Sequence, residues 1–327
     1  MRVTGEGRGR FWSWILAVPL AAFLLYWSLR GVDWKTVWSS IAAAHWSFLA
    51  LAALCTCFSF FQRALRWRIL LNAEERLSVG LVYRATMAGY LGNAFLPARA
   101  GEVVRTLVIS SRSSLSKTYV LTTALSERLM DVIALVLWAS LILLGVHSKP
   151  AWMGGAAGAM ATIAALGAVV IAVLPHTGDL CQNLLRRLPL PAALRARLLQ
   201  LAEQVLLGMR AFHHVGRFLG FAALTVTIWV TDAVANLFTA HSLGLPLSFP
   251  LAMLLLTALG LSSALPSTPG YVGIYQFVAV TVLVPFGIPK SQALAFILLT
   301  QAYGYVVVLA LGLPCMCLLK SKPAPLE

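Results

Sequence analysis

The chain has 327 residues, 60% of them hydrophobic and only 11% charged, with a mean hydropathy of +0.84. Ordinary soluble domains carry roughly 25% charged residues, so too few polar side chains remain to cover a soluble surface, and the composition points to a polytopic membrane protein. The net charge of +14 does not imply a nucleic-acid partner: the basic residues cluster between apolar runs, as membrane topology and an anionic leaflet require, and no nucleic-acid module accompanies them.

Arg2, Arg8 and Arg10 precede the apolar run 11–29. That run is long for a signal-peptide core and no small-x-small cleavage site follows, so it reads as a retained first span. Further spans of about 20 apolar residues are expected at 46–62, 118–145, 151–174, 218–241 and 291–319. Blocks 79–111 and 247–287 are different, because helix breakers interrupt each near its middle: NAFLPARAG in the first, SSALPSTPGYVG in the second. Each is expected to enter the membrane and return to the same side.

Placing Lys and Arg on the cytoplasmic side puts both termini in the cytoplasm, with Arg63, Arg66, Arg68 and Arg76 in a cytoplasmic loop after span 46–62. Only Arg30, Lys35, Lys149 and Lys290, of 25 basic residues, then lie outside. The expected fold is an all-α polytopic protein of the cytoplasmic membrane, a single integral membrane domain over 1–327. It has about six full spans and two oppositely oriented re-entrant hairpins. Span 46–62, hairpin 79–111 and span 118–145 form one unit; span 218–241, hairpin 247–287 and span 291–319 form another, upside down. Inverted repeats with broken helices near the midplane are a transporter plan; here the repeat rests on hydropathy and breakers, without residue-level identity between the halves. The segment 176–217 alternates Leu and Arg at helical spacing and is broken near PLP at 189–191. It reads either as amphipathic helix on the anionic interface or as a linker packed under the bundle.

Polar groups in a bilayer are costly and usually face an interior cavity. Three sets stand out. In the first hairpin, Asn93, Arg99, Glu102 and Arg105 surround Gly92, Pro97 and Gly101. Pro97 disfavours helix at Leu96, so the chain turns there. Glu102 suits the first turn of a restarting helix, and Arg105 one turn on could pair with it, leaving Arg99 for an anion. In the second set, Glu127, Arg128 and Asp131 lie near the bilayer centre, with both carboxylates on one helix face. They read as a salt-bridge lock with Arg99 or Arg105, as direct ligand or proton handling, or as both in turn. The third set is Asp232 and Asn236, one turn apart, with Ser267, Thr268, Tyr271 and Gln276 among the breakers of the second hairpin. It reads as a headgroup site or as a tightly packed turn. The five cysteines sit in apolar runs or alone, with no neighbouring His or acidic cluster, so neither a metal site nor a cofactor is expected.

The order RALRWRILL, GNAFLPARAGEVVR, SERLMD, LPSTPGYVG resembles the lysylphosphatidylglycerol synthase transmembrane-region family, also described as flippase-like membrane proteins, over about residues 12–318. The resemblance implies translocation of a lipid or lipid-linked headgroup. Arg99, Glu102 and Arg105 match the family's first hairpin motif, Glu127, Arg128 and Asp131 its second, and Pro266, Pro269, Gly270 and Gly273 its last. Tyr271 stands where the family often has a second glycine and Gln276 where it often has glutamate, which removes a titratable group from hairpin two. No attached synthase or glycosyltransferase domain is expected, and so no enzyme activity.

The function expected is a flippase or transporter whose substrate and partner is a membrane lipid, an anionic phospholipid or a polyprenyl-phosphate-linked lipid. Two other readings are an intramembrane enzyme with Glu127 as base and Asp131 as metal ligand, and a non-transporting partner of a separate lipid-modifying enzyme.

Overall fold

The computed structural model describes residues 21–96, 100–145, 214–263 and 269–320, together with positions 19, 162, 195 and 199. Most of span 151–174 and of segment 176–217, together with Pro97, Arg99, Pro266, Ser267 and Thr268, therefore lie outside the described residues.

Among the described residues every regular element is helical. After a helical stretch over 21–29 come α1 (Trp34–Ala42), α2 (Trp46–Leu71), α3 (Val79–Phe95), α4 (Gly101–Ser110), α5 (Lys117–Gly145), α6 (Val215–Ser242), α7 (Phe249–Ser262), α8 (Ile274–Leu283) and α9 (Lys290–Lys320), with single 3-10 turns at Pro269–Tyr271 and Val284–Phe286. Side-chain caps fix three of the starts: Asp33 accepts from Lys35 N, Ser78 from Leu81 N, and Ser248 from Leu251 N. Each satisfies an amide that a helix leaves without an internal partner.

Helices α2, α6 and α9 are long and apolar enough to cross a membrane. Helix α5 matches them in length, with 29 residues, about 43 Å at 1.5 Å per residue, but carries Glu127, Arg128 and Asp131. These four occupy the expected spans 46–62, 118–145, 218–241 and 291–319, with one correction. Helix α2 does not stop at 62. It runs to Leu71 and takes Arg63, Arg66 and Arg68 out of the cytoplasmic loop and into the helix. Carboxylates on α5 and α6 neutralise Arg63 and Arg66, which lets charged residues continue an apolar helix.

The opening helices of the two halves, α2 and α6, lie side by side and antiparallel. His45 N donates to Ser242 O at 2.9 Å, Phe48 stacks on Phe238, Arg63 meets Asp232, and Leu70 packs on Phe221. Each is followed by a hairpin of short helices, α3 and α4 or α7 and α8. At 10 to 14 residues, α4, α7 and α8 are about 15 to 21 Å long, short of the ~30 Å hydrocarbon core. Each hairpin also packs on the closing helix of the other half. Met87 and Leu91 of α3 join Val307 and Val308 of α9 in one cluster, and Leu251, Leu255 and Leu259 of α7 join Leu135 and Leu143 of α5 in another. Antiparallel opening helices and exchanged hairpin contacts are two features that an inverted repeat requires.

The arms of the first hairpin touch backbone to backbone. A Cβ on Gly101 would lie 1.9 Å from Gly89 O and 2.5 Å from Asn93 Oδ1, so only glycine allows the approach. Asn93 Oδ1 accepts from Gly101 N at 2.9 Å, capping from across the hairpin a helix whose own N-cap, Ala100, has no side chain to do so. Gly101→Ala is expected to force α3 and α4 apart and to cost about 1–3 kcal/mol, read as a lower thermal midpoint in detergent. Gly80→Ala, where a Cβ meets nothing within 4 Å, should leave the midpoint unchanged.

Candidate functional site

A cavity of about 370 Å³ lies between the two halves, bounded by helices α2 to α9 and by the turn at Gly270 and Tyr271. Its charged walls are Arg63, Glu102, Arg128 and Asp232. Directly behind them a buried charge network ties α2, α4 and α5 together.

Arg66 is the centre of that network. Its side chain is fully buried. Nη1 and Nη2 donate to the two oxygens of Asp131 at 2.6 and 2.9 Å, and Nη2 also reaches Glu127 Oε1 at 2.9 Å. The planar guanidinium fork is suited to this two-carboxylate geometry. The second oxygen of Glu127 accepts from Arg105 Nη1 at 2.8 Å. Arg105 also contacts Glu102 at 2.5 Å, one turn away on α4, and lies over the Trp67 ring, 4.4 Å from its centroid. Arg128 closes the set, reaching Glu102 Oε1 at 2.9 Å and Asp131 Oδ2 at 3.5 Å. Three arginines thus balance three carboxylates. The exposure of their side chains grows from 0% at Arg66 to 27% at Arg128, which faces the cavity.

A fourth pair stands apart on the opposite wall. Arg63 Nη2 meets Asp232 Oδ2 at 2.5 Å, with both side chains partly accessible, and Arg63 lies over the Trp229 ring. The ion pairs among the described residues thus join four arginines to four carboxylates.

The structure sorts the expected site residues into three groups. Asn93, Glu102, Arg128, Asp232, Asn236 and Tyr271 line the cavity. Arg105, Glu127, Asp131 and Gln276 are buried behind it. Arg99, Ser267 and Thr268 lie outside the described residues. The expected lock between α4 and α5 is present as Arg105–Glu127. Arg66 and Arg63 were absent from the expected site, because a run of basic residues after an apolar stretch reads as a loop. A signal was there nonetheless: Ser59, Gln62, Arg63 and Arg66 fall at helical spacing and continue one face of span 46–62.

In hairpin two a neutral network replaces the charged one. Gln276 Oε1 accepts from Gly273 N at 2.7 Å, and its amide donates to Gln301 of α9. Gln301 Nε2 and Tyr305 Oη both donate to Gly270 O at 3.0 Å. Gln276 therefore closes the turn and ties it to α9. Gly270 and Tyr271 have φ of +69° and +60°, a left-handed stretch that favours glycine. Here Tyr271 stacks on Tyr275, with ring centroids 4.7 Å apart, a contact that offsets part of the backbone cost.

Breaking a buried ion pair on one side leaves an uncompensated charge, at a cost of about 3–5 kcal/mol. Arg66→Ala removes one guanidinium from each of two buried carboxylates, leaving Glu127 to Arg105 alone and Asp131 to the longer contact with Arg128, and is expected to lose about that much stability in a denaturation series in detergent. Arg128→Ala leaves Glu102 with Arg105 and Asp131 with Arg66, and is expected to lose less than half as much.

Comparison with known proteins agrees with this architecture. A family model described as the lysylphosphatidylglycerol synthase TM region matches residues 14–312. The chain is 25% identical over 327 aligned residues to the UPF0104 membrane protein PH1989 of Pyrococcus horikoshii, covering 91% of this chain and 93% of that one. It is 24% identical over 318 residues to Glycosyltransferase AglD of Haloferax volcanii, covering 86% of this chain. This chain spans about half the length of the latter relative, 49%. With the family match running across both hairpins and all four long helices, the chain is a multi-pass helical membrane protein that belongs to the lysylphosphatidylglycerol synthase transmembrane-region family.

Proposed function

We propose that the chain translocates a phosphate-bearing lipid headgroup through the cavity between its halves, as a flippase-type transporter of the cytoplasmic membrane with both termini cytoplasmic. The observation that carries this reading is a set of cavity-lining donors lacking acceptors. Arg63 uses Nε on Ser59 and Nη2 on Asp232, and its Nη1 has no partner among the described residues. The indole Nε1 of Trp229, beside it, is buried and likewise unpartnered. Unmet donors next to arginine call for an acceptor-rich anion, and a phosphodiester supplies oxygens in the geometry a guanidinium prefers. An anionic phospholipid or a polyprenyl-phosphate-linked lipid has that chemistry, with its tails left in the bilayer.

Two further observations support transport. The hairpins, read as re-entrant, bring short helices and irregular backbone to the cavity, where such backbone is tolerated inside a membrane. The exchanged hairpin contacts let one half rock against the other around a fixed central site. Glu127 and Asp131 are both clamped by Arg66, so neither is poised as a general base, which favours transport over intramembrane catalysis. A separate lipid-modifying enzyme would supply or consume the lipid. The name of the Haloferax relative suggests that a sugar on the phosphate is one such headgroup, and the tyrosines 90, 271, 275, 303 and 305 along the cavity wall offer the aromatic faces and hydroxyls to receive it.

The test is translocation of a fluorescent phosphatidylglycerol in proteoliposomes, followed by quencher accessibility. Arg63→Ala should slow it about tenfold or more, the equivalent of one charge-assisted hydrogen bond, while the protein elutes as wild type. Wild-type rates in that variant would overturn the assignment.

A further inference from the structure

The four carboxylates are not equivalent. Glu102 is held by Arg105 and Arg128, Glu127 by Arg66 and Arg105, and Asp131 by Arg66 and Arg128. Each keeps one guanidinium if the other leaves. Asp232 has a single cationic partner among the described residues, Arg63. That same arginine has a spare donor and borders the cavity.

Consider a phosphate monoanion taking Arg63. The network of Arg66, Arg105 and Arg128 with its three acids is already neutral and has no cation to lend. Asp232 loses its counter-ion while 18% exposed, in a cavity whose other charged walls, Glu102 and Arg128, pair with each other and whose remaining lining is aromatic, aliphatic, hydroxyl and amide side chains. An unpaired carboxylate in such surroundings is costly, and the group neutralises instead. The surrounding elements supply no substitute cation. From α2, Cys55 and Arg63 face it; from α9, Tyr303; α7 carries no ionisable residue. Arg66 and Arg128 are within electrostatic reach of Arg63 or its network but are committed to Glu127, Asp131 and Glu102.

We propose that Asp232 is the proton-binding group of the cavity: the anionic headgroup takes Arg63, Asp232 takes a proton from solution, and release of the headgroup returns Arg63 to Asp232 and expels the proton. Charge balances at each stage, since one anion and one proton enter together. This rests on the preceding reading of the cavity as a phosphate site and adds its coupling ion. It also places a titratable group on α6 where hairpin two, with Gln276, has none.

The sign follows from linkage. If binding takes up a proton, affinity rises as pH falls and declines about tenfold per pH unit once Asp232 is ionised in the free protein. The experiment uses the purified full chain in detergent with dihexanoyl phosphatidylglycerol, a monoanion without an amine. Binding is titrated at several pH values, and proton uptake is read in weakly buffered solution with an indicator dye. Wild type is expected to take up about one proton per lipid bound above that ionisation point. Asp232→Asn, nearly isosteric, frees Arg63 in advance. It should bind more tightly than wild type at high pH, with pH-independent affinity and no proton uptake. Lipid binding by wild type without proton uptake overturns the coupling and leaves the phosphate site standing, as does full uptake retained in Asp232→Asn. Absence of lipid binding in wild type overturns the phosphate site, and the coupling with it.

Discussion

The structure turns on one buried guanidinium. Arg66 sits in α2 with no exposure and holds two carboxylates of α5, Glu127 and Asp131. Burying three charges in an apolar bundle is tolerable only when each is neutralised and hydrogen-bonded, because desolvation otherwise exceeds the Coulomb gain. That demand propagates outward. Two carboxylates need a second cation, which Arg105 supplies from α4; Arg105 brings Glu102, and Glu102 brings Arg128. The chain of pairs sets the position of hairpin one against α2 and α5, and it ends at the cavity wall.

The two halves solve the same architectural problem with different chemistry. Hairpin one is anchored by charge, with a close backbone crossing at Gly101. Hairpin two is anchored by amides and hydroxyls, from Gln276 through Gln301 and Tyr305 to Gly270. Neutral hydrogen bonds to backbone fix a turn without bringing charge into the membrane. The cavity between them is therefore lopsided. Its charged walls belong to α2, α4, α5 and α6, while α9 and the second hairpin contribute aromatic, amide and hydroxyl groups and no charge. A headgroup that joins phosphate to a polar neutral moiety fits such a division.

Exposure along the arginine series orders the side chains by what they are free to do. Arg66 and Arg105 are structural anchors, with Trp67 and Phe221 covering their guanidinium faces. Arg63 and Arg128 both border open volume, but Arg128 is held by Glu102 and Asp131, and Arg63 is the one with a donor to spare. The same distinction separates Glu127, with arginine on both oxygens, from Asp232, with one.

Much of this was legible in the sequence. Hydropathy marked α2, α5, α6 and α9, because about 20 apolar residues in a row have few other uses, and the breakers clustered in blocks 79–111 and 247–287 marked both hairpins, because several Pro and Gly close together disfavour a continuous helix. Glu127, Arg128 and Asp131 announced themselves as intramembrane charges within α5, and Asp232 within α6. The partners did not. Arg66 lies 61 residues from Glu127 and Arg63 lies 169 from Asp232, and no local rule distinguishes a loop arginine from one neutralised by a distant helix. Nor could composition separate Arg105, which faces inward, from Arg128, which faces the cavity: each is an arginine with a carboxylate three residues away on its own helix. The sequence by itself determined which segments are helical, where they break and that charge enters the membrane, since these depend on neighbours along the chain. Only the tertiary structure decided which charges neutralise each other and which remain exchangeable, since pairing depends on how separate helices dock.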